Sequence, residues 1–263
     1  MIGIFDSGIG GLSVLKEIRA KAPQADIVYF GDTENAPYGD KGAGDIRRLI
    51  AMALRRLHAA GATHIVSACN SASVPILSLP IDLLRLRLFD VVEMIGPTVE
   101  ALAPRQKKIV LFGTHATVNS GLYQRAFRDK GVHIEAIAIP PLAGLIEKGA
   151  SREDLYPIVR EAVREAVAKN AGIISLSCTH YPFVRELFEK SLREEQSTAD
   201  IFDPASAVAR EVLKRFPIQG EGTLRFLVSK KSSVFDSYVE ALFKTTPHTI
   251  EQAGSIYWSL KTV

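Results

Sequence analysis

The sequence predicts an α/β chain with mainly parallel sheets, folded as two facing α/β lobes with the functional cleft between them. Three observations predict it. Short β-rich runs alternate with amphipathic, helix-like stretches along the 263 residues, the pattern of βαβ units. Residues 2–73 and 109–181 repeat one order of features: strand, polar loop, later strand, cysteine loop. All four loops follow strand runs, and open α/β sheets bind ligands beyond the carboxyl ends of their strands.

Ile2–Phe5 is the first strand run and leads into "DSGIGG". Ile27–Phe30 is the second. The stretch after it, "NAPYGDKG" (Asn35–Gly42), is a turn by composition whose exposed backbone suits a carboxylate ligand. A helical pattern covers Gly44–Ala60, with Arg47, Arg48, Arg55 and Arg56 on its solvated face. Ile65–Ala68 ends in "VSACNSAS", and Val91–Ile95 reads as a further strand. "GPTVEALAPRQKK" (Gly96–Lys108) is the expected crossing to the second lobe. There the strand runs are Ile109–Phe112, Ile134–Ile139, Ile173–Ser177 and Asp200–Phe202, with a helix over Arg152–Lys169. "FDPASAVARE" (Phe202–Glu211) carries the chain back, and Leu224–Val228 adds a strand. Behind the caps Ser232 and Ser233, the residues Val234, Tyr238, Val239, Leu242 and Phe243 recur at helical spacing and read as a core face.

Bulk numbers bound the class. At 47% hydrophobic and 23% charged, the chain suits one large or two medium domains with a sizeable core. A net charge of +3 gives nucleic-acid binding no support. The start, "MIGIFDSGIGG", lacks a basic region and a long apolar region, and no run of about 18 apolar residues occurs. The expectation is a cytoplasmic protein, not membrane-bound, with reduced thiols. Two cysteines, at 69 and 178, do not make a disulfide framework.

Both cysteines end an apolar run just before a helix start. Helix N–H groups and the helix dipole favour a thiolate there, and Asn70, Ser71 and Thr179 add hydrogen-bonding groups. The bland alternative is a pair of buried small hydrophobes. His180 reads either as a helix-start histidine or as a group that tunes the Cys178 thiol and moves protons. Cys178 with His180 lacks the paired spacing of zinc ligands, and no C-x-x-C is present for dithiol redox chemistry. Asp6 and Ser7 precede Gly8, Gly10 and Gly11. "GIGGLS" approaches a dinucleotide fingerprint, with Ser13 in place of the third glycine and Asp32 placed like a ribose-binding acid. Asp6 argues against it, because it sets a negative charge where the pyrophosphate would lie. Glu147, in "LAGLIEKGA", reads by itself as a surface glutamate.

The stretches "GIFDSGIGGLSVL", "YFGDTENAPYG", "SACNSAS", "GTHATVNSGLYQ", "PLAGLIEKG" and "SCTHYPF" occur in that order. Together they resemble the cofactor-independent glutamate racemases of the aspartate/glutamate racemase superfamily, over nearly the whole chain. The resemblance implies lobes formed by residues 1–96, completed by 207–263, and by 97–206. It implies that Cys69 and Cys178 are the catalytic acid/bases, with Asp6, His180 and Glu147 assisting proton transfer. Asp6, Ser7, Pro37, Tyr38, Gly39, Asn70, Ser71, Thr179 and His180 would contact substrate, with Thr114 and Thr117 close by. It implies glutamate as the small-molecule substrate, no metal and no cofactor, D-glutamate supply for peptidoglycan, and a homodimer as one assembly the family uses. Departures are Ser71 for the usual Thr, Ser177 for Gly, Gly96-Pro97 for Glu-Pro, and His115 for Arg. If the backbone at 177 needed a positive φ, serine would be strained there.

The chemistry is consistent with that implication. Inverting an α-carbon requires a proton to leave one face and another to reach the opposite face, hence two acid/base groups on opposite sides of one molecule. Two lobes that each present a cysteine meet the requirement, and a thiol near pKa ~8.5 needs only a modest downward shift to serve as base near neutrality. Aspartate racemase or another superfamily isomerase is the runner-up. A decarboxylase relative would need one cysteine, not two. The rival of another class is a non-catalytic amino-acid-binding or regulatory protein, which Ser177, Gly96 and His115 keep open.

Overall fold

The structure is a computed structural model that describes residues 1–76 and 91–253. Residues 77–90 and 254–263, which belong to the range expected for the first lobe, lie outside the described residues.

Among the described residues, ten strands form two parallel sheets. The first contains β1 (Ile2–Asp6), β2 (Ile27–Gly31), β3 (His64–Ser67), β4 (Val91–Val92), β9 (Leu224–Val228) and β10 (Thr249–Gln252), in the order β10-β9-β2-β1-β3-β4. The second contains β5 (Ile109–Gly113), β6 (Ile134–Ala138), β7 (Ile173–Leu176) and β8 (Asp200–Phe202), in the order β6-β5-β7-β8. β1, β2, β5 and β7 are buried along their whole length. Parallel strands covered on both faces favour apolar residues at nearly every position rather than at alternate ones, which is why "IGIFD", "IVYFG", "IVLFG" and "IISL" are apolar runs broken only by Asp6 and Ser175. β10 differs: all four of its residues are exposed at the sheet edge, so "TIEQ" carries no burial signal and the sequence does not predict it.

Within the sheets, β2-β1-β3-β4 and β6-β5-β7-β8 follow one plan. In each, the chain winds one way from the central strand and then reverses, so the reversal falls between β1 and β3 and between β5 and β7. The expected repeat is therefore present as topology.

Helices cover the sheets: α1 (Leu12–Lys21), α2 (Ala43–Ala59), α3 (Asn70–Ile76), α4 (Ile95–Leu102), α5 (His115–Asn119), α6 (Leu122–Arg128), α7 (Pro140–Glu147), α8 (Arg152–Ala168), α9 (Arg185–Glu194), α10 (Ala205–Arg215) and α11 (Ser233–Phe243). α2 buries Ile46, Leu49, Ile50, Ala53, Leu54 and Leu57, an i, i+3/i+4 stripe. α8 begins at Ser151, whose hydroxyl accepts from Asp154 N at 3.2 Å, and α11 at Ser232, whose hydroxyl accepts from Phe235 N at 3.2 Å. α10 returns the chain to the first sheet by packing on α1 and α4. One apolar cluster joins Ile4 and Tyr29 of the first sheet to Phe112 and Leu176 of the second. Among the described residues no helix is long and apolar enough to cross a membrane.

The strand expected over Val91–Ile95 is shorter than the sequence reading. It stops at Val92 because the Glu93 carboxylate folds onto the N–H groups of Ile95 (2.5 Å) and Gly96 (2.7 Å) and starts α4 there. Pro97 then occupies the first helical turn, where a missing N–H leaves no bond unmade.

Candidate active site

The loops after β1, β3, β5 and β7 meet between the sheets. β1 delivers Asp6, whose Oδ1 accepts from Gly8 N at 2.9 Å. β3 delivers Cys69, and β7 delivers Cys178, Thr179 and His180. β5 delivers Thr114, whose hydroxyl caps α5 by accepting from Thr117 N at 3.3 Å and lies 3.2 Å from the Thr117 hydroxyl. Both sulfurs thus follow the strand at which their own sheet reverses, the position where open α/β sheets form ligand crevices.

The surroundings of the two sulfurs differ. Cys178 Sγ is 3.9 Å from His180 Nδ1, and His180 Nε2 is 2.6 Å from Glu147 Oε2, so thiol, imidazole and carboxylate form a chain. Burial opposes the imidazolium, but the hydrogen bonds and charges of Cys178 and Glu147 outweigh it and raise the His180 pKa well above its ordinary value. Cys69 Sγ donates to Ser7 Oγ at 4.0 Å. Burial first, and then the Asp6 carboxylate, push the Cys69 thiol up against the opposing Ala72 N–H. That reverses the lowering expected from a helix start: desolvation of the thiolate exceeds what the N–H groups of α3 return. Asp6 is itself raised by burial, with His180 and the Gly8 N–H acting the other way and Glu147 adding to the rise.

The first lobe's glycines are explained by what faces them. A Cβ on Gly10 would lie 2.5 Å from Thr179 Oγ1 and 2.7 Å from His180 Nδ1, and one on Gly8 would collide with the Glu147 carboxylate. "GIGG" therefore makes room for the opposing lobe, not for a pyrophosphate. Glu147 is correspondingly no surface residue, since its side chain is 10% exposed and Oε2 also accepts from Ile9 N at 3.1 Å.

The loop after β2 closes over the site. Asp32 accepts from Tyr38 OH at 2.7 Å and from Asn35 Nδ2 at 3.0 Å, so it anchors this loop instead of binding a ribose. The Ala36–Pro37 peptide is cis, and Pro37 lies over Gly144 of α7. Gly39 passes so close to Thr114 that a Cβ would sit 2.6 Å from Thr114 Cβ, and its carbonyl accepts from Ala116 N at 3.0 Å. The Ser71 and Thr114 hydroxyls are 2.9 Å apart. Thr179 Oγ1 donates to Asp6 Oδ2 at 3.3 Å, and Ser13 Oγ to Thr179 O at 3.3 Å. These bonds join the lobes and bury Asp6, Ser7, Tyr38, Cys69, Asn70, Ser71, Thr114, Thr117, Cys178, Thr179 and His180.

The departures fall outside that contact set or fit within it. Ser177 does not take a left-handed φ, so serine is unstrained, and its hydroxyl lies 3.0 Å from that of Ser175. Gly96 serves the Glu93 cap. His115 is exposed on the rim of an adjoining cleft of about 430 Å³, which Gly39, Lys41 and Ser71 also line. Among the described residues no three His, Cys, Asp or Glu side chains are grouped as metal ligands. One contact was not legible from the sequence: Tyr123 OH donates to Asn70 Oδ1 at 2.6 Å, and a tyrosine on a helix reads as core.

The Asp/Glu/Hydantoin racemase family model matches residues 11–212. A glutamate racemase of Carboxydothermus hydrogenoformans is 36% identical over 244 residues, 87% of this chain and 86% of that protein. Among solved structures, a glutamate racemase isoform of Bacillus anthracis superposes with a TM-score of 0.83 at 26% identity, covering 97% of each chain. A glutamate racemase of Francisella tularensis in complex with D-glutamate superposes with a TM-score of 0.82 at 25% identity, covering 98% of each. With its two-sheet fold and its match over most of the chain, this protein belongs to the Asp/Glu/Hydantoin racemase family.

Proposed function

We propose that this chain is a glutamate racemase, interconverting L- and D-glutamate with two thiols and no cofactor. The observation that carries the reading is the matched placement of Cys69 and Cys178 at the reversal points of the two sheets. Glutamate is favoured over aspartate by the relatives that bear the name and by the D-glutamate in the Francisella complex.

In the L-to-D direction, the Cys178 thiolate takes the Cα proton and the Cys69 thiol gives its proton to the opposite face. The sulfurs thereby exchange protonation states, and the D-to-L direction starts from the exchanged state. The raised pKa of Cys69 suits a group that holds its proton until Cα becomes basic. The imidazolium of His180, held by Glu147, suits negative charge on the neighbouring Cys178. Asp6 assists at Cys69. Charge developing at Cα is met by the substrate's own ammonium and by the amide and hydroxyls of Asn70, Ser71, Thr114, Thr117 and Thr179 in a water-excluded site. Ser7 and the Pro37–Gly39 loop complete the enclosure. The reading extends to lobes formed by 1–96 with 207–263 and by 97–206, to a cytoplasmic location with D-glutamate destined for peptidoglycan, and to a homodimer.

Incubation with L-glutamate in deuterium oxide tests it. The expected result is D-glutamate carrying deuterium at Cα. No exchange on glutamate or aspartate would replace this reading with the amino-acid-binding one, and faster turnover of aspartate would replace the substrate.

A further inference from the structure

We infer that Tyr123 is a positioning residue for the substrate: its hydroxyl crosses from the second lobe to hold the Asn70 amide with Nδ2 turned to the ligand. The inference rests on the racemase reading above. Tyr123 lies on α6, 1% exposed, with its ring in the apolar cluster of Ile95, Leu111 and Phe127. Its OH donates to Asn70 Oδ1 at 2.6 Å, the shorter of its two bonds to acceptor oxygens, with Met94 O at 3.5 Å and the hydroxyls of Thr98 and Ser177 also near it. Asn70 is 2% exposed, opens α3 and is bonded to Cys69 in the chain.

A side-chain amide has its acceptor at one end and two donors at the other, so fixing Oδ1 fixes the direction of Nδ2. Asn70 Nδ2 is buried and has no hydrogen-bond partner among the described residues. Buried amide donors are almost always paired, and this one stands beside a proposed acid/base. The chemistry it fits is an anionic oxygen, here a carboxylate of glutamate. Tyr123 and Asn70 come from opposite lobes, so the bond also ties the orientation of the amide to closure of the cleft. Without the hydroxyl the amide turns freely about its last torsion, and either end faces the substrate.

The test is a double-mutant cycle in the full chain, using Tyr123→Phe, Asn70→Ala and both together, with L- and D-glutamate as substrates. Tyr123→Phe is expected to raise KM about 10-fold for both enantiomers, the effect of one misplaced hydrogen bond to a charged group. It is expected to alter kcat less than about 3-fold. In the Asn70→Ala background the same substitution should change kcat/KM less than about 2-fold, because the tyrosine then has no amide to hold. An undiminished effect in that background, or an unchanged KM in the single variant, would overturn the inference. Should Tyr123→Phe fail to fold, 3-fluorotyrosine at 123 keeps the shape and alters only the donor. A KM shift confined to chains with Asn70 then supports the inference, and an equal shift in both backgrounds, or none in either, overturns it. If the wild type racemises neither enantiomer, the racemase reading fails instead. The cycle is then read on the Kd for D-glutamate, with the same two outcomes.

Discussion

His180 stands between the Cys178 sulfur, 3.9 Å from its Nδ1, and the Glu147 carboxylate, 2.6 Å from its Nε2. Its pKa is raised despite burial, because Cys178 and Glu147 favour the imidazolium. Glu147→Gln removes one of those causes, so the pKa falls and the alkaline limb of the pH–rate profile should move to lower pH, with kcat/KM reduced about 10-fold at neutrality. An unmoved limb would remove His180 from the mechanism. The same shift has a stability consequence. A folded-state pKa above the unfolded value stabilises fully below the ordinary 6.5, and this is lost as pH rises through the raised value. The Tm difference between wild type and His180→Asn should therefore shrink as pH is raised from below 6.5 into the alkaline range. A constant difference would count against the shift. Cys69, Cys178, Asp6 and His180 stand out in the sequence because each is polar or titratable at or just beyond the end of an apolar strand. Glu147 stands out only through the family resemblance and not by its own pattern, because its partners are His180, 33 positions away, and Ile9, 138 positions away. Asp32 was legible as important but not for what it does: its partners are turn residues that composition does not distinguish.

The loops act as a set at the scale of elements, and Gly10 is one of the points where the two lobes press together. Gly10→Ala places a methyl against Thr179 and His180. It should hold the lobes apart and reduce kcat/KM about 10²-fold, the scale of an ångström misplacement at a reacting centre. Far-ultraviolet circular dichroism should stay unchanged; a fully active, folded Gly10→Ala would contradict the account of the glycines. Ser232→Ala is the contrasting case. It removes the cap of α11, distant from the cysteines in sequence, and should lower unfolding free energy by about 1 kcal/mol in urea while leaving KM unchanged. The buried strands and the long amphipathic helices were readable because burial dictates their residues. β10 was not, because its four residues are exposed, and β4 was overrun because a single Glu93 carboxylate diverts the backbone into α4. The termini of elements follow such local hydrogen bonds, which leave no periodic trace in the sequence.

At the scale of the whole molecule, one strand plan used twice places two thiols at equivalent points of two sheets, and the proposed reading makes them a pair. On the proposed two-thiol reading the acid and the base are both side chains, so activity should survive exhaustive dialysis against a chelator; recovery only on adding metal back would refute this. The most direct test of the central claim is racemisation by Cys69→Ser and Cys178→Ser, each checked for native circular dichroism. Serine keeps the size and the proton but is a far weaker base, because an alkoxide does not form where a thiolate does. Each single variant should lose about 10²–10⁴-fold in kcat for both directions. The double variant should be little worse than either single one, as expected of groups that act as a unit. Either single variant racemising at close to the wild-type rate would contradict the two-thiol account.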